Sequence, residues 1–311
     1  MEKNKVWMII IFSVALYIIM GIYADFGKFI TSLEGFNWLF IPLMLIIVTI
    51  SYFIRFLKWN FFLKHVGVHL KIKDNLFVFF SGLAMIITPA KAGEIWKGWL
   101  IKEINGESLN KTIPVVITDR MTDVIGLVIL SLTGVIYYES SAYLIIIIMA
   151  LFMVFVAIIR SERASERLIK LMEGQAKKYG GDVRHMHQTF KKTIETKYLV
   201  GMSFLSILAW FLECLALFII INGFGQSLNI LLSTFVFSFA SLAGAVSMIP
   251  GGLGVAEATI SGLLVFFGLN PSVAVGVAIV VRFGTLWYGA VLGLLVYLIF
   301  KKRILNHNIK Q

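Results

Sequence analysis

The sequence predicts an all-α polytopic membrane protein, and three observations carry that prediction. Of its 311 residues 59% are hydrophobic and 14% charged, and the mean hydropathy is +0.89. A soluble domain does not hold that much apolar sequence without aggregating. Several apolar runs reach roughly eighteen residues, enough to cross the hydrocarbon core of a bilayer. Lysine and arginine cluster between the runs. About six full spans are expected, with two broken or re-entrant hairpins between them, arranged as an inverted-topology repeat.

In chain order, the first run, Trp7 to Tyr23, follows Lys3 and Lys5 in the layout of a signal peptide. It has no clear small-residue cleavage site and further spans follow, so a retained first helix at residues 6–24 is expected. The other full spans are expected at 38–62, 113–137, 142–160, 198–222 and 272–300.

The two interrupted segments fall at 75–102 and 229–268. In the first, an apolar run from Phe77 is cut by Pro89, then Gly93 and Glu94. The piece after Pro89 is too short and too charged to cross alone, which predicts a re-entrant hairpin. In the second, the run from Phe235 is cut by Pro250, then Gly251, Gly252, Gly254 and Glu257. It is more apolar, so its arms are expected to reach further across. Each break is followed about thirty residues later by an arginine in an apolar stretch, Arg120 and Arg282.

Orientation follows from the positive-inside bias. With the N-terminus in the cytoplasm, Lys64, Lys71, Lys73, Lys102 and Lys111 fall inside, as do ten basic residues from Arg160 to Lys197 and the cluster Lys301, Lys302, Arg303 and Lys310. The outer connections hold Lys28 and little else. The first broken segment then enters from the cytoplasm and the second from outside, with flanking spans of opposite sense. The expected organisation is one integral membrane domain, 1–311, with a first repeat at 38–137, a basic cytoplasmic linker at 160–197 and a second repeat at 198–300. Leu168, Ile169, Leu171 and Met172 suggest a short amphipathic helix within the linker.

The net charge of +11 belongs to cytoplasmic loops, so nucleic acid is a poor partner. The single cysteine, Cys214, excludes an intrachain disulfide or a cysteine-rich metal site. His185 and His187 do not make a ligand set, and no metal or cofactor is expected. No catalytic serine, zinc or nucleotide-loop signature is present, and Pro250–Gly254 follows a membrane run rather than a strand.

Ionisable residues inside spans are costly and mark function. Asp119, Arg120 and Asp123 lie in the third span, Glu213 in the middle of 198–222, Arg282 near the middle of the last span, and Glu94 and Glu257 just past the breaks. Arg120 and Arg282 suit bidentate binding of a phosphate. Half-helix N-termini at Gly93 and at Gly251, Gly252 and Gly254, with Lys91 beside the first, would add donors. Glu94, Asp119, Asp123, Glu213 and Glu257 would hold the arginines without substrate, or carry protons. Arg55 and Lys58 fall near the inner end of a span, where snorkelling to the interface is the expectation.

Pro89–Glu94 with Lys97, Thr118–Arg120 with Asp123, and Pro250–Glu257 together resemble the lysylphosphatidylglycerol synthase transmembrane family. This is the flippase-like region of the multiple peptide resistance factor, with stand-alone relatives. The resemblance implies translocation of a lipid with a polar head, an aminoacyl-phospholipid or a polyprenyl-phosphate glycolipid. Only eleven residues follow Phe300. The cytosolic aminoacyl-transferase domain of fused relatives is therefore expected to be missing, and the chain is expected not to be an enzyme. A membrane lipid with a phosphate headgroup is the implied partner, with a lipid-modifying enzyme or glycosyltransferase as a protein partner. A solute or ion transporter on the same fold, and a non-transporting partner of a glycosyltransferase, stay open.

Overall fold

The computed structural model describes residues 26–88, 93–137 and 183–308, and every regular element among them is helical. The spans expected at 6–24 and 142–160, Lys91, and the amphipathic stretch at Leu168–Met172 lie outside the described residues. We number the α-helices α1 (Phe26–Glu34), α2 (Phe40–His65), α3 (Ile72–Leu83), α4 (Trp96–Asn105), α5 (Leu109–Ser131), α6 (Val183–Thr193), α7 (Thr196–Gly223), α8 (Ile230–Val246), α9 (Val255–Phe266), α10 (Pro271–Arg282) and α11 (Tyr288–Asn308).

Helix α2 has two faces with different surroundings. Leu43, Ile46, Ile50, Phe53, Leu57 and Phe61, spaced three or four apart, are exposed, with Ile46 at 58%. The opposite stripe, Val48, Ser51, Tyr52, Arg55, Lys58, Trp59 and Phe62, is buried. Apolar side chains outward and charged ones inward reverse the arrangement of a water-soluble protein and suit a lipid-facing surface. Val200, Phe204 and Leu208 on α7, and Val291, Leu294 and Leu298 on α11, continue the exposed apolar surface. Among the described residues, three helical stretches, Phe40–His65, Thr196–Gly223 and Pro271–Lys302, are long and apolar enough to cross a membrane.

Both expected interruptions exist as helix, break, helix. The first runs from α3 through turns at residues 84–88 to α4. The chain then turns at Gly106 in the left-handed region, and Ser108 caps α5 by accepting from the Asn110 N–H at 3.1 Å. Helix α5 carries Pro114 in its interior and tightens into a 3₁₀ turn at Leu132–Tyr137. The second interruption runs from α8 through a 3₁₀ turn at Pro250–Gly252 to α9. Met248 (φ 54°), Gly251 (63°), Gly252 (66°) and Gly254 (87°) all adopt positive φ there, and three glycines in four positions make this backbone accessible.

Helix α7 packs against α2, α5 and α8 at the centre of the larger apolar core, which includes Val48, Trp210, Leu217, Ile220, Phe237 and Val277. A second core under Trp59, Phe62, Phe77, Leu100 and Val115 joins α2 to the first broken segment. Helix α6 lays Met186 and Phe190 against α5, and Thr118 and Thr193 hydroxyls meet at 2.6 Å between them.

The last rod is continuous but not uniform. After Arg282 a π-helical stretch, Phe283–Trp287, inserts before α11. Upstream of it, α10 packs on α9; downstream, α11 packs on α3 and α4. At Gly293 the two backbones nearly touch: a Cβ there would stand 2.3 Å from the Ala84 nitrogen and 2.7 Å from the Phe80 carbonyl oxygen.

Candidate functional site

Helix lengths set the depth at which the charges meet. Helix α3 spans 12 residues, and Arg282 ends the 12 residues of α10. At about 1.5 Å per residue each covers roughly 18 Å, about half the thickness of a bilayer. Asp119–Asp123 lie eleven to fifteen residues after Ser108, an equivalent depth on α5.

There a cavity of about 290 Å³ opens between the two interrupted segments. The first contributes Gly82, Ile86, Thr88, Glu94 and Lys97, and the second Gly244, Met248, Ile249, Gly251 and Gly252. Arg55 of α2, Arg120 and Asp123 of α5, Trp210 and Glu213 of α7, and Arg282 complete its polar and aromatic wall. Met248 is 68% exposed although it lines the cavity, so the wall opens at the end of α8.

The wall is charged but balanced. Arg55 donates to Glu213 Oε1 at 2.8 Å and to Asp123 Oδ2 at 3.2 Å, with its guanidinium 4.1 Å from the Trp210 ring centroid. Lys58 Nζ lies 2.6 Å from Asp123 Oδ1 and 2.9 Å from Asp119 Oδ1, and it donates to Ser206 Oγ at 2.7 Å. Arg120 reaches Asp123 Oδ2 at 3.0 Å, Glu94 Oε1 at 3.3 Å and Asp119. Lys97 Nζ pairs with Glu94 Oε2 at 3.0 Å and sits 4.5 Å from the Trp59 ring centroid. Arg55, Lys58, Lys97 and Arg120 thus face Glu94, Asp119, Asp123 and Glu213, and each member has more than one polar or aromatic partner. Pairing on this scale is what allows such groups at membrane depth.

Arg282 and Glu257 make a separate pair. Arg282 Nε donates to Glu257 Oε1 at 2.9 Å, and Nη2 donates to the Gly251 carbonyl. Glu257 Oε2 accepts from the Gly254 N–H at 2.7 Å, which closes the N-terminus of α9.

The geometry corrects two expectations. Arg55 and Lys58 do not snorkel to the interface; at 8% and 1% exposure they point inward and carry the cluster. The Gly93, Gly252 and Gly254 N–H groups at the breaks are satisfied internally: Gly93 donates to Thr88 Oγ1 at 2.9 Å, Gly252 to the Ile249 carbonyl at 2.8 Å, and Gly254 to Glu257. What the second break turns toward an arginine is the Gly251 carbonyl.

Of the residues singled out in the sequence, Glu94, Arg120, Asp123, Glu213, Gly251, Gly252 and Arg282 line the cavity. Asp119, Gly93, Gly254 and Glu257 stand behind that wall, each bonded to a neighbour that forms part of it or flanks it. Lys97 and Tyr52 join the lining without having been singled out for a role.

The family model described as the lysylphosphatidylglycerol synthase TM region matches residues 10–293. Full-length similarity extends to a UPF0104 membrane protein of Methanothermobacter thermautotrophicus, 24% identical over 94% of this chain and 93% of the relative. A UPF0104 membrane protein of Pyrococcus horikoshii is 26% identical over 93% and 95% of the two chains. One of Methanocaldococcus jannaschii is 24% identical over 97% and 96%.

Proposed function

This chain belongs to the lysylphosphatidylglycerol synthase TM-region family, and from that premise we propose that it moves a lipid with a phosphate-bearing headgroup between membrane leaflets. One observation carries the reading: both helix breaks and both arginines set in apolar stretches, Arg120 and Arg282, converge on one cavity. A phosphate entering there meets guanidinium donors suited to bidentate contact. The carboxylates on the same wall, Glu94, Asp123 and Glu213, hold the cations in the unloaded state and release them to the ligand.

The opening beside Met248 favours a lipid over a free solute. It is bordered by exposed apolar side chains, Val246 at 80% and Met248 at 68%, so a headgroup can enter while its chains stay among lipid tails. The two interrupted segments act as an inverted pair and the cavity alternates between leaflets. Both termini are cytoplasmic and the membrane is the plasma membrane. The chain performs no chemistry on the lipid.

The test is leaflet exchange in proteoliposomes carrying fluorescent phosphatidylglycerol, aminoacyl-phosphatidylglycerol or a polyprenyl phosphate. The expected result is faster exchange of at least one of them than in protein-free liposomes. Exchange equal to the protein-free rate for all three overturns the proposal.

A further inference from the structure

The two charge groups respond differently to an incoming anion. In the larger cluster, four cations share four carboxylates, and each carboxylate keeps a cation if Arg120 turns toward the cavity: Lys97 stays with Glu94, Lys58 with Asp119 and Asp123, and Arg55 with Glu213 and Asp123. The second group has no such reserve. Glu257 is 0% exposed, Arg282 is its one described salt-bridge partner, and its other oxygen is held by the Gly254 N–H.

Among the described helices, those packed on α9 are α8 and α10. Helix α8 carries no charged residue, and α10 carries Arg282 alone. Arg282 lines the cavity while Glu257 lies behind it. An anion bound at Arg282, even where Arg120 also turns to meet it, therefore competes with Glu257 for that guanidinium, and a buried carboxylate that loses its ion pair is expensive.

Resting on the anionic-headgroup reading above, we propose that Glu257 is the proton-binding residue of this protein, taking one proton from bulk water for each anionic headgroup bound at Arg282. The neutral carboxylic acid keeps its acceptor contact to Gly254, and the guanidinium is left to the ligand. Loading is then electroneutral, and a proton gradient drives the lipid in the direction the proton runs.

Titration calorimetry of the purified protein in two buffers of different ionisation enthalpy counts the protons. The probes are dihexanoylphosphatidylglycerol and inorganic phosphate. Wild type should take up about one proton per ligand bound, and Glu257→Gln should bind with none. Uptake with both probes means that the phosphate group is recognised by itself; uptake with the lipid alone means that the whole headgroup is; either supports the proposal. Binding without proton uptake in wild type overturns the proposal and leaves the lipid reading standing. Undiminished uptake in Glu257→Gln moves the proton to another group and overturns the assignment. Binding of neither probe overturns the proposal and leaves the lipid reading to the exchange assay. If Glu257→Gln does not fold, the infrared difference spectrum of wild type on adding the lipid decides. A new protonated-carboxyl band, shifted in Glu257→Asp, is expected, and its absence overturns the proposal.

Discussion

Lys58 and Asp123 meet 2.6 Å apart with side chains only 1% and 5% exposed, which makes a lysine on one apolar helix and an aspartate on another into a buried joint between α2 and α5. The ammonium also holds Asp119 and Ser206, so the joint extends to α7. Removing the cation takes one partner from each of two buried carboxylates, leaving Asp123 with Arg55 and Arg120 and Asp119 with Arg120 alone. Lys58→Met is expected to destabilise the protein by about 1–3 kcal/mol, read as a fall in melting temperature in detergent. Lys58→Met with Asp123→Asn should recover part of that loss.

Arg282 donates to one carboxylate and one carbonyl and lines the cavity. Arg282→Ala should lower leaflet exchange by roughly 10–100-fold, the worth of one or two charge-assisted hydrogen bonds. Arg282→Lys keeps the charge but loses the fork, and should fall between the two. Exchange rates normalised to the amount of folded protein check this order.

Met248 lines the cavity and faces outward at its mouth. Met248→Trp should slow exchange several-fold while changing stability by less than about 1 kcal/mol, since an exposed site has no packing to disturb. Wild-type exchange in this variant would remove the opening beside α8 from the transport path.

Two glycines should behave in opposite ways. Gly293→Ala drives a methyl into the backbone at Phe80–Ala84 and should cost about 1–3 kcal/mol. Gly262 lies inside α9, where an added Cβ would meet nothing within 4 Å, so Gly262→Ala should stabilise by about 0.5–1 kcal/mol. Thermal melts of both variants side by side test the close approach of α11 to α3.

The breaks were legible because proline and glycine interrupt helices wherever they fall, and both sites produced helix, break, helix within a few residues of the expected bounds. Arg120, Arg282 and five acidic residues were legible because a charge within an apolar run needs an explanation. Arg55 and Lys58 were misjudged because hydropathy ended the span at residue 62, while α2 continues to His65 and holds Lys58 about 10 Å from its end. A usable signal was present: Ser51, Arg55, Lys58 and Trp59 recur at helical spacing, opposite a stripe of Leu, Ile and Phe. The fate of the glycine N–H groups was not legible, because it depends on Thr88 Oγ1 and Glu257 folding back on their own segments.

The π-helical stretch at Phe283–Trp287 fixes the angle between the two ends of the last rod. Its upper half rides on the second break through Arg282, and its lower half rides on the first through Gly293. The offset between the two bearings is set by the extra residue in one widened turn, since each residue turns a helix by about 100°. Deleting a residue there would leave both halves helical and both breaks in place. It would also turn Gly293 away from its seat against Phe80–Ala84, so the rod would no longer hold the two breaks in one register.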